Sequence, residues 1–147
     1  MPSMFDADTR AQFQQRIASL TPQAHRRWGR LSANEMVCHL SDQLRMALGD
    51  IKTTPTPGPL WWPPLKWLVI GPMPWPHGAK GARESFTTRP ATWDRDVSTL
   101  RELLDRLGAR GDQQVWPAHP RFGPMTRDHW GRLSYKHFNH HLRQFSA

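Results

Sequence analysis

Apolar side chains recur every three or four residues in four separate stretches of the chain, which is the spacing of an amphipathic helix. The first stretch runs from about Asp8 to Leu20. The second begins at Ser32, which forms the sequence pattern of a capping box with Glu35, and it ends at Gly49. No stretch alternates convincingly between apolar and polar residues, so no β-strand is predicted.

Two further helices are predicted in the second half of the chain. The third opens near Pro90 to Thr92 and ends at Gly108. The fourth starts at Thr126, a residue type that favours the N-cap, and it runs to about Phe145. Four amphipathic helices of similar length predict an all-α fold, a four-helix bundle. A chain of 147 residues suits one such domain, 1–147.

The connection between the second and third helices, residues 52–90, has a different composition. Eight of the fourteen prolines lie between Pro55 and Pro76, and tryptophans are interleaved with them. Tryptophan side chains need burial, so we predict an ordered crossover with a short helix around Leu65 to Ile70. Such a long crossover would leave helices two and three parallel, and helix four antiparallel to helix two.

Charge and cysteine content limit the classes of function. The formal net charge is +8, but the arginines are spread over every segment, so solvated helix faces are favoured over nucleic-acid binding, which is kept as a lesser alternative. The chain shows no signal peptide and no apolar run that could span a membrane. Its single cysteine, Cys38, suits a reducing compartment, and we expect a cytoplasmic protein. A membrane-surface role for the tryptophan segment is a weaker alternative.

Three of the eight histidines lie in one five-residue segment of the fourth helix: His137, His140 and His141. His137 and His141 are four residues apart and share one helix face. His39 lies about 9 Å from the start of the second helix, and the His137–His141 pair lies about the same distance from the end of the fourth. If these helices are antiparallel neighbours, the three imidazoles meet and can hold one divalent metal ion. His140 is then a bystander or a rim residue.

Three imidazole ligands leave at least one coordination position open for water or substrate, as in catalytic metal sites. No glutamate lies between His137 and His141, so the zinc-protease pattern with its general base is absent. The other four histidines fall in loops or on polar faces, and no special role is predicted for them: His25, His77, His119 and His129.

Several polar residues lie close to the predicted metal site. Asp42, three residues after His39, is the nearest acid to accept the outer N–H of that ring. Gln43 and Gln144 point towards the site and could bind substrate. The alternative for all three is an ordinary polar residue on a helix surface. Cys38 fits a buried thiol better than a fourth ligand.

Two segments carry a resemblance to a known family. The segment from His39 to Gln43 in the second helix and the segment from Lys136 to Gln144 in the last are similar to those of the DinB-like (DinB/YfiT-like) superfamily of metal-binding proteins. More narrowly, the chain resembles an uncharacterised subfamily, whose loops look like residues 75–78 and 117–124 here. The similarity covers the chain from about Ala24 onward.

The resemblance implies a four-helix bundle with a long crossover between helices two and three. It also implies a divalent metal ion, such as zinc, nickel or manganese, held by His39, His137 and His141. Relatives include transferases that use bacillithiol or glutathione and an isomerase that uses mycothiol, and they often form homodimers. We therefore expect a metal-dependent enzyme, transferase or hydrolase-like, that acts on a small molecule and uses a low-molecular-weight thiol. A non-catalytic metal-binding protein is the alternative.

Overall fold

The structure, a computed structural model, describes residues 1–111 and 115–147. Within those residues it contains five α-helices and no strand, so the predicted all-α bundle is confirmed. The helices are α1 (Ala7–Ala18), α2 (Ala33–Leu48), α3 (Pro63–Ile70), α4 (Trp93–Ala109) and α5 (Arg127–Gln144). Two 3₁₀ turns, Pro59–Trp61 and Arg83–Phe86, lie in the crossover.

Both ends of α2 and the start of α5 are fixed by caps at the residues that the sequence predicts. Ser32 Oγ accepts from the Glu35 backbone N–H, and the Glu35 carboxylate accepts from the Ser32 N–H, which begins α2. Gly49 ends α2 in the left-handed conformation at φ 82°. At α5, His129 Nδ1 accepts from the Thr126 N–H and takes the place of the usual glutamate. The sequence pattern alone did not identify that second capping box.

The long helices close into a bundle in which α1 and α2 each pack against both α4 and α5. The carboxyl ends of α2 and α4 meet, because the Arg110 guanidinium donates to the Leu48 carbonyl over 2.8 Å. Cys38 and Asp96, both early in their helices, line one cavity. The two helices are therefore parallel, as the long crossover predicts.

Helix α5 runs antiparallel to α2. Gln43 Nε2 donates to Ser134 Oγ over 3.0 Å, while His39, one turn earlier in α2, lies opposite residues one to two turns later in α5. This orientation places the amino-terminal half of α2 beside the carboxyl-terminal half of α5. The predicted histidines of both helices consequently come to the same level.

The crossover packs onto the bundle through polar as well as apolar contacts. Lys136 Nζ of α5 donates to the carbonyls at the end of α3, and Trp61 and Trp75 are half-buried. The expectation that the tryptophan area is buried is wrong for Trp62 and Trp67, which are 64% and 57% exposed. Prolines at the first two positions of α3 fix the direction of this short helix, and its outer face is left in solvent.

None of the helices in the described chain combines the length and the apolar character needed to cross a lipid bilayer.

We expect Leu104→Ala to lower the free energy of unfolding by about 2–5 kcal/mol, because it removes packed methyl groups and leaves a cavity. Leu104 is 0% exposed in the core between the helices. Leu68→Ala is the matched control, since Leu68 is 39% exposed, and it should change stability by no more than about 0.5 kcal/mol. Urea unfolding measures both. Equal losses at the two positions would contradict this assignment of the core.

Candidate metal centre

Three imidazoles from two helices meet with their Nε2 atoms facing one another. His39 Nε2 lies 2.8 Å from His137 Nε2 and 3.1 Å from His141 Nε2. His39 and His137 are buried, and His141 is half-buried. The sequence placed these rings at one level, and the structure brings them together. They are arranged so that they could hold a metal ion.

The outer nitrogens of two rings fix which nitrogen carries the hydrogen. His39 Nδ1 lies 2.8 Å from the Ser85 carbonyl, which only accepts, so the ring donates. His141 Nδ1 lies 2.9 Å from Gln144 Oε1, and Gln144 Nε2 donates to the Trp28 carbonyl over 2.6 Å, which orients the amide. Each neutral ring therefore carries its hydrogen on Nδ1 and presents a lone pair at Nε2.

Two lone pairs thus face each other over 3.1 Å, with no hydrogen between them in the neutral state. Burial lowers the pKa of His39, and burial together with His39 lowers the pKa of His141 to about 3, so a proton is a poor counter-charge at neutral pH. Burial and then the neighbouring histidines lower the pKa of His137 as well. The arrangement is compatible with a bound metal ion.

The spacing of the three nitrogens fits a divalent first-row ion. Imidazole nitrogens bind Zn²⁺ at about 2.0–2.1 Å, so two ligands at angles from 90° to tetrahedral lie about 2.8–3.4 Å apart. The two separations measured from His39 Nε2, 2.8 and 3.1 Å, both lie within that range. His137 Nδ1 has no hydrogen-bond partner among the described residues, so its tautomer is free to adapt. The role of these histidines as ligands stays a prediction.

Asp42 supports the site indirectly, which corrects the expectation that it accepts from His39. The Ser85 carbonyl occupies that place. The fully buried Asp42 carboxylate accepts instead from the backbone N–H groups of Thr87 and Thr88, over 2.8 and 2.7 Å. It therefore holds the end of the crossover against α2, and through that segment it positions the carbonyl that orients His39.

Gln43 and Cys38 lie outside the cluster. The Gln43 amide is buried and donates to Ser134, so it joins α2 to α5 one turn away from the histidines. The prediction that Gln43 binds substrate stays a prediction, although its amide nitrogen is used in helix packing. Cys38 is buried and lines a separate cavity against α4, in agreement with the preference for a thiol that is not a ligand.

Aromatic rings lie around the histidine cluster and form an aromatic rim, to which Phe86, Trp75 and His140 belong. Phe86 stacks on His39 with ring centroids 4.4 Å apart, and Trp75 lies 6.1 Å from His137. His140 lies half-buried, and its ring centroid is 5.1 Å from that of His141. Of the two roles predicted for it, bystander or rim residue, this position agrees with a rim residue. Sequence reasoning did not place Phe86 at the site, because the conformation of its loop depends on contacts distant in sequence.

Trp28 and His77 extend this aromatic rim. Their rings stack with centroids 4.0 Å apart and an interplanar angle of 6°. Trp28 lies 5.8 Å and His77 lies 6.2 Å from the His140 ring. His77, for which no role was predicted, thus belongs to the surroundings of the cluster. The only sequence signal for it was its place in a segment that resembled a family loop.

Gly29 lets the connection before α2 pass directly over Gln144. Its φ is 81°, in the left-handed region that favours glycine, and an added Cβ would collide with Gln144 Nε2. The neighbouring Arg27 N–H donates to the Gln144 carbonyl over 2.7 Å. The close approach of Gly29 and the hydrogen bond from Arg27 thus fix the end of α5, and from there the Gln144 amide reaches His141.

His119 has a structural role that the sequence did not indicate. The ring is only 6% exposed, and its Nδ1 accepts from the backbone N–H groups of Arg121 and Phe122. These bonds close the turn that leads into α5. Burial, followed by the charges of Arg121 and Lys66, lowers the pKa of His119 to about 3.

The metal-free protein should lose stability as the pH falls below about 6.5. Four histidines that are buried or half-buried have a lowered pKa in the folded state, so the unfolded chain takes up protons at these positions first: His39, His119, His137 and His141. Each contributes a slope of up to about 1.4 kcal/mol per pH unit. Urea unfolding between pH 6.5 and 5 in the presence of a chelator measures the total slope.

His119→Asn is the matched variant, since its amide oxygen can still accept from the two backbone N–H groups. It should reduce the slope by about one proton. A stability that does not change over this pH range would contradict the assignment of buried neutral rings.

Comparison with known proteins gives a family but no activity. Residues 5–147 match the family model described as "Protein of unknown function (DUF1569)". No curated protein and no solved structure matches the chain. The family match spans the bundle and every histidine of the cluster, and the chain therefore belongs to the DUF1569 family.

Proposed function

We propose that the protein is a divalent-metal-dependent enzyme that acts on a small molecule, with His39, His137 and His141 as its metal ligands. The observation that carries this proposal is the pair of Nε2 lone pairs held 3.1 Å apart where burial opposes protonation. Three ligands from two helices leave part of the coordination sphere uncovered, which is typical of catalytic sites.

The residues around the cluster have separate tasks in this proposal. The Ser85 carbonyl and Gln144 keep the outer N–H groups engaged, so that the inner lone pairs of His39 and His141 stay available. The aromatic rim limits the access of water, and the His140 ring can exchange a hydrogen bond with a bound substrate. When bound, the ion would supply Lewis acidity and lower the pKa of a coordinated water or thiol.

A low-molecular-weight thiol is the substrate class that these residues favour. The nearest carboxylate on α2, that of Asp42, is already used by Thr87, Thr88 and Arg45, so it is not free to act as a general base for hydrolysis. A thiol that coordinated the ion would release its proton to solvent without such a base. The resemblance to the DinB-like superfamily, which includes thiol-dependent transferases, supports the same reaction class: addition or transfer of a thiol to an electrophile.

Metal content tests the ligand assignment. We expect about one divalent ion per chain in the wild type and less than about a tenth of that in His137→Ala, since one of three ligands is lost. His140→Ala is the matched control and should keep its metal, because this ring lies at the rim. Elemental analysis measures the ion, and circular dichroism verifies folding. Equal metal content in wild type and His137→Ala would rule out the site.

Turnover tests the activity separately from metal binding. We expect the metal-loaded protein to consume a thiol in the presence of an electrophile, and His141→Ala to reduce the rate at least about a hundredfold. Bacillithiol, glutathione and mycothiol are the thiols to compare. A metal-loaded wild type that is stabilised by its ion but shows no turnover with any of them would favour a non-catalytic metal-binding protein.

Retention on duplex DNA near physiological salt would favour the nucleic-acid alternative.

A further inference from the structure

A second polar cavity lies between α2 and α4, on the side of α2 turned away from His39. Its volume is about 170 Å³, which is small for a drug-sized molecule but sufficient for a single oxyanion. Three arginines and three hydroxyl residues contribute to its lining: Arg45, Arg89, Arg95, Ser41, Thr88 and Thr99. Neither the histidine cluster nor its aromatic rim takes part in it.

The arginines differ in how firmly they are held. Arg45 Nη1 donates to Asp42 Oδ1 and to Thr88 Oγ1, so its guanidinium is fixed beside the cavity. Arg89 and Arg95 are exposed, and neither guanidinium group makes a hydrogen bond or an ion pair with a residue in the described part of the chain. Two guanidinium groups are therefore available to close over a ligand.

The charge of the lining is positive in balance. The lining holds three arginines and one carboxylate, that of Asp96, whose Oδ2 already accepts from the Ala91 N–H over 2.8 Å. The Asp42 carboxylate behind the lining balances the charge of Arg45, so the charges of Arg89 and Arg95 exceed that of Asp96 by one. The Cys38 thiol adds no negative charge, because burial and then Asp96 raise its pKa to about 11. The start of α4, with the positive end of its dipole, borders the same space.

We propose that this cavity binds the oxyanion of a phosphate group, either as free phosphate or as the terminal group of a larger molecule. Guanidinium groups bind phosphate oxygens in pairs, and here one fixed and two free groups surround a space of suitable size. Thr99, on α4, also lines the cavity, and its hydroxyl would donate to a third oxygen. None of the three histidines of the metal centre lines this cavity.

Inorganic phosphate is the probe, titrated into the full chain by calorimetry at constant ionic strength with chloride as the balancing ion. We expect wild type to bind phosphate and the Arg89→Gln/Arg95→Gln variant to bind it at least about tenfold more weakly. The matched control is Arg30→Gln/Lys52→Gln, which removes the same charge from two exposed positions outside the cavity. Its dissociation constant should stay within about twofold of wild type.

Two further measurements distinguish phosphate binding in this cavity from non-specific attraction to positive charge and from binding at the metal centre. Thr99→Val keeps the charge and should weaken binding about threefold or more if the hydroxyl contacts the ligand. Chelation of metal should leave the binding unchanged, because phosphate coordinated at the histidines would disappear with the ion. A phosphate monoester that binds more tightly than inorganic phosphate identifies the group as part of a larger molecule, and weaker binding identifies the free ion.

The proposal is overturned if phosphate has no advantage over chloride at equal ionic strength. It is also overturned if both double variants lose affinity equally, or if chelation abolishes the binding. The metal-dependent activity proposed above could fail while this site persists, since chelated protein is one arm of the experiment.

Discussion

The candidate metal centre depends most on two imidazole rings whose inner nitrogens face each other, because a fixed acceptor binds the outer nitrogen of each ring. The Ser85 carbonyl and the Gln144 amide oxygen each require a hydrogen on the outer nitrogen of a ring, so the inner nitrogens of His39 and His141 face each other without one. In the buried neutral state this contact is unfavourable, and a bound cation would convert it into two bonds. Metal binding would then stabilise the folded state by mass action, because no such arrangement exists in the unfolded chain.

The crossover explains how rings so far apart in sequence come together. His39 is separated from His137 by 98 positions and from His141 by 102. Because the crossover traverses the length of the bundle, α4 runs parallel to α2, and α5 is left to return antiparallel beside α2. The end of the crossover is then fixed by Asp42, so the same segment that sets the topology also supplies the carbonyl behind His39.

Much of the fold could be predicted from local patterns, and the part that could not has a physical reason. Periodicity and the caps at Ser32 and Thr126 identify helices because those signals act within a few residues. The histidine cluster followed from depth along two antiparallel helices. The Ser85 carbonyl could not be predicted, because a backbone acceptor has no side-chain signature. The exposure of Trp62 was missed for a related reason, since burial in a proline-rich crossover depends on the bundle it crosses.

The collision that a side chain at Gly29 would cause has a consequence for the electronic state of the cluster. This residue belongs to no helix and touches no histidine, yet its bare α-carbon permits the Gln144 amide to keep its oxygen towards His141. A side chain there would push against the Gln144 amide nitrogen. If the amide oxygen then moved away from His141, the ring could take up the tautomer that carries its hydrogen on the inner nitrogen. The glycine in this connecting loop would thus influence whether the inner nitrogen of His141 accepts or donates a hydrogen bond.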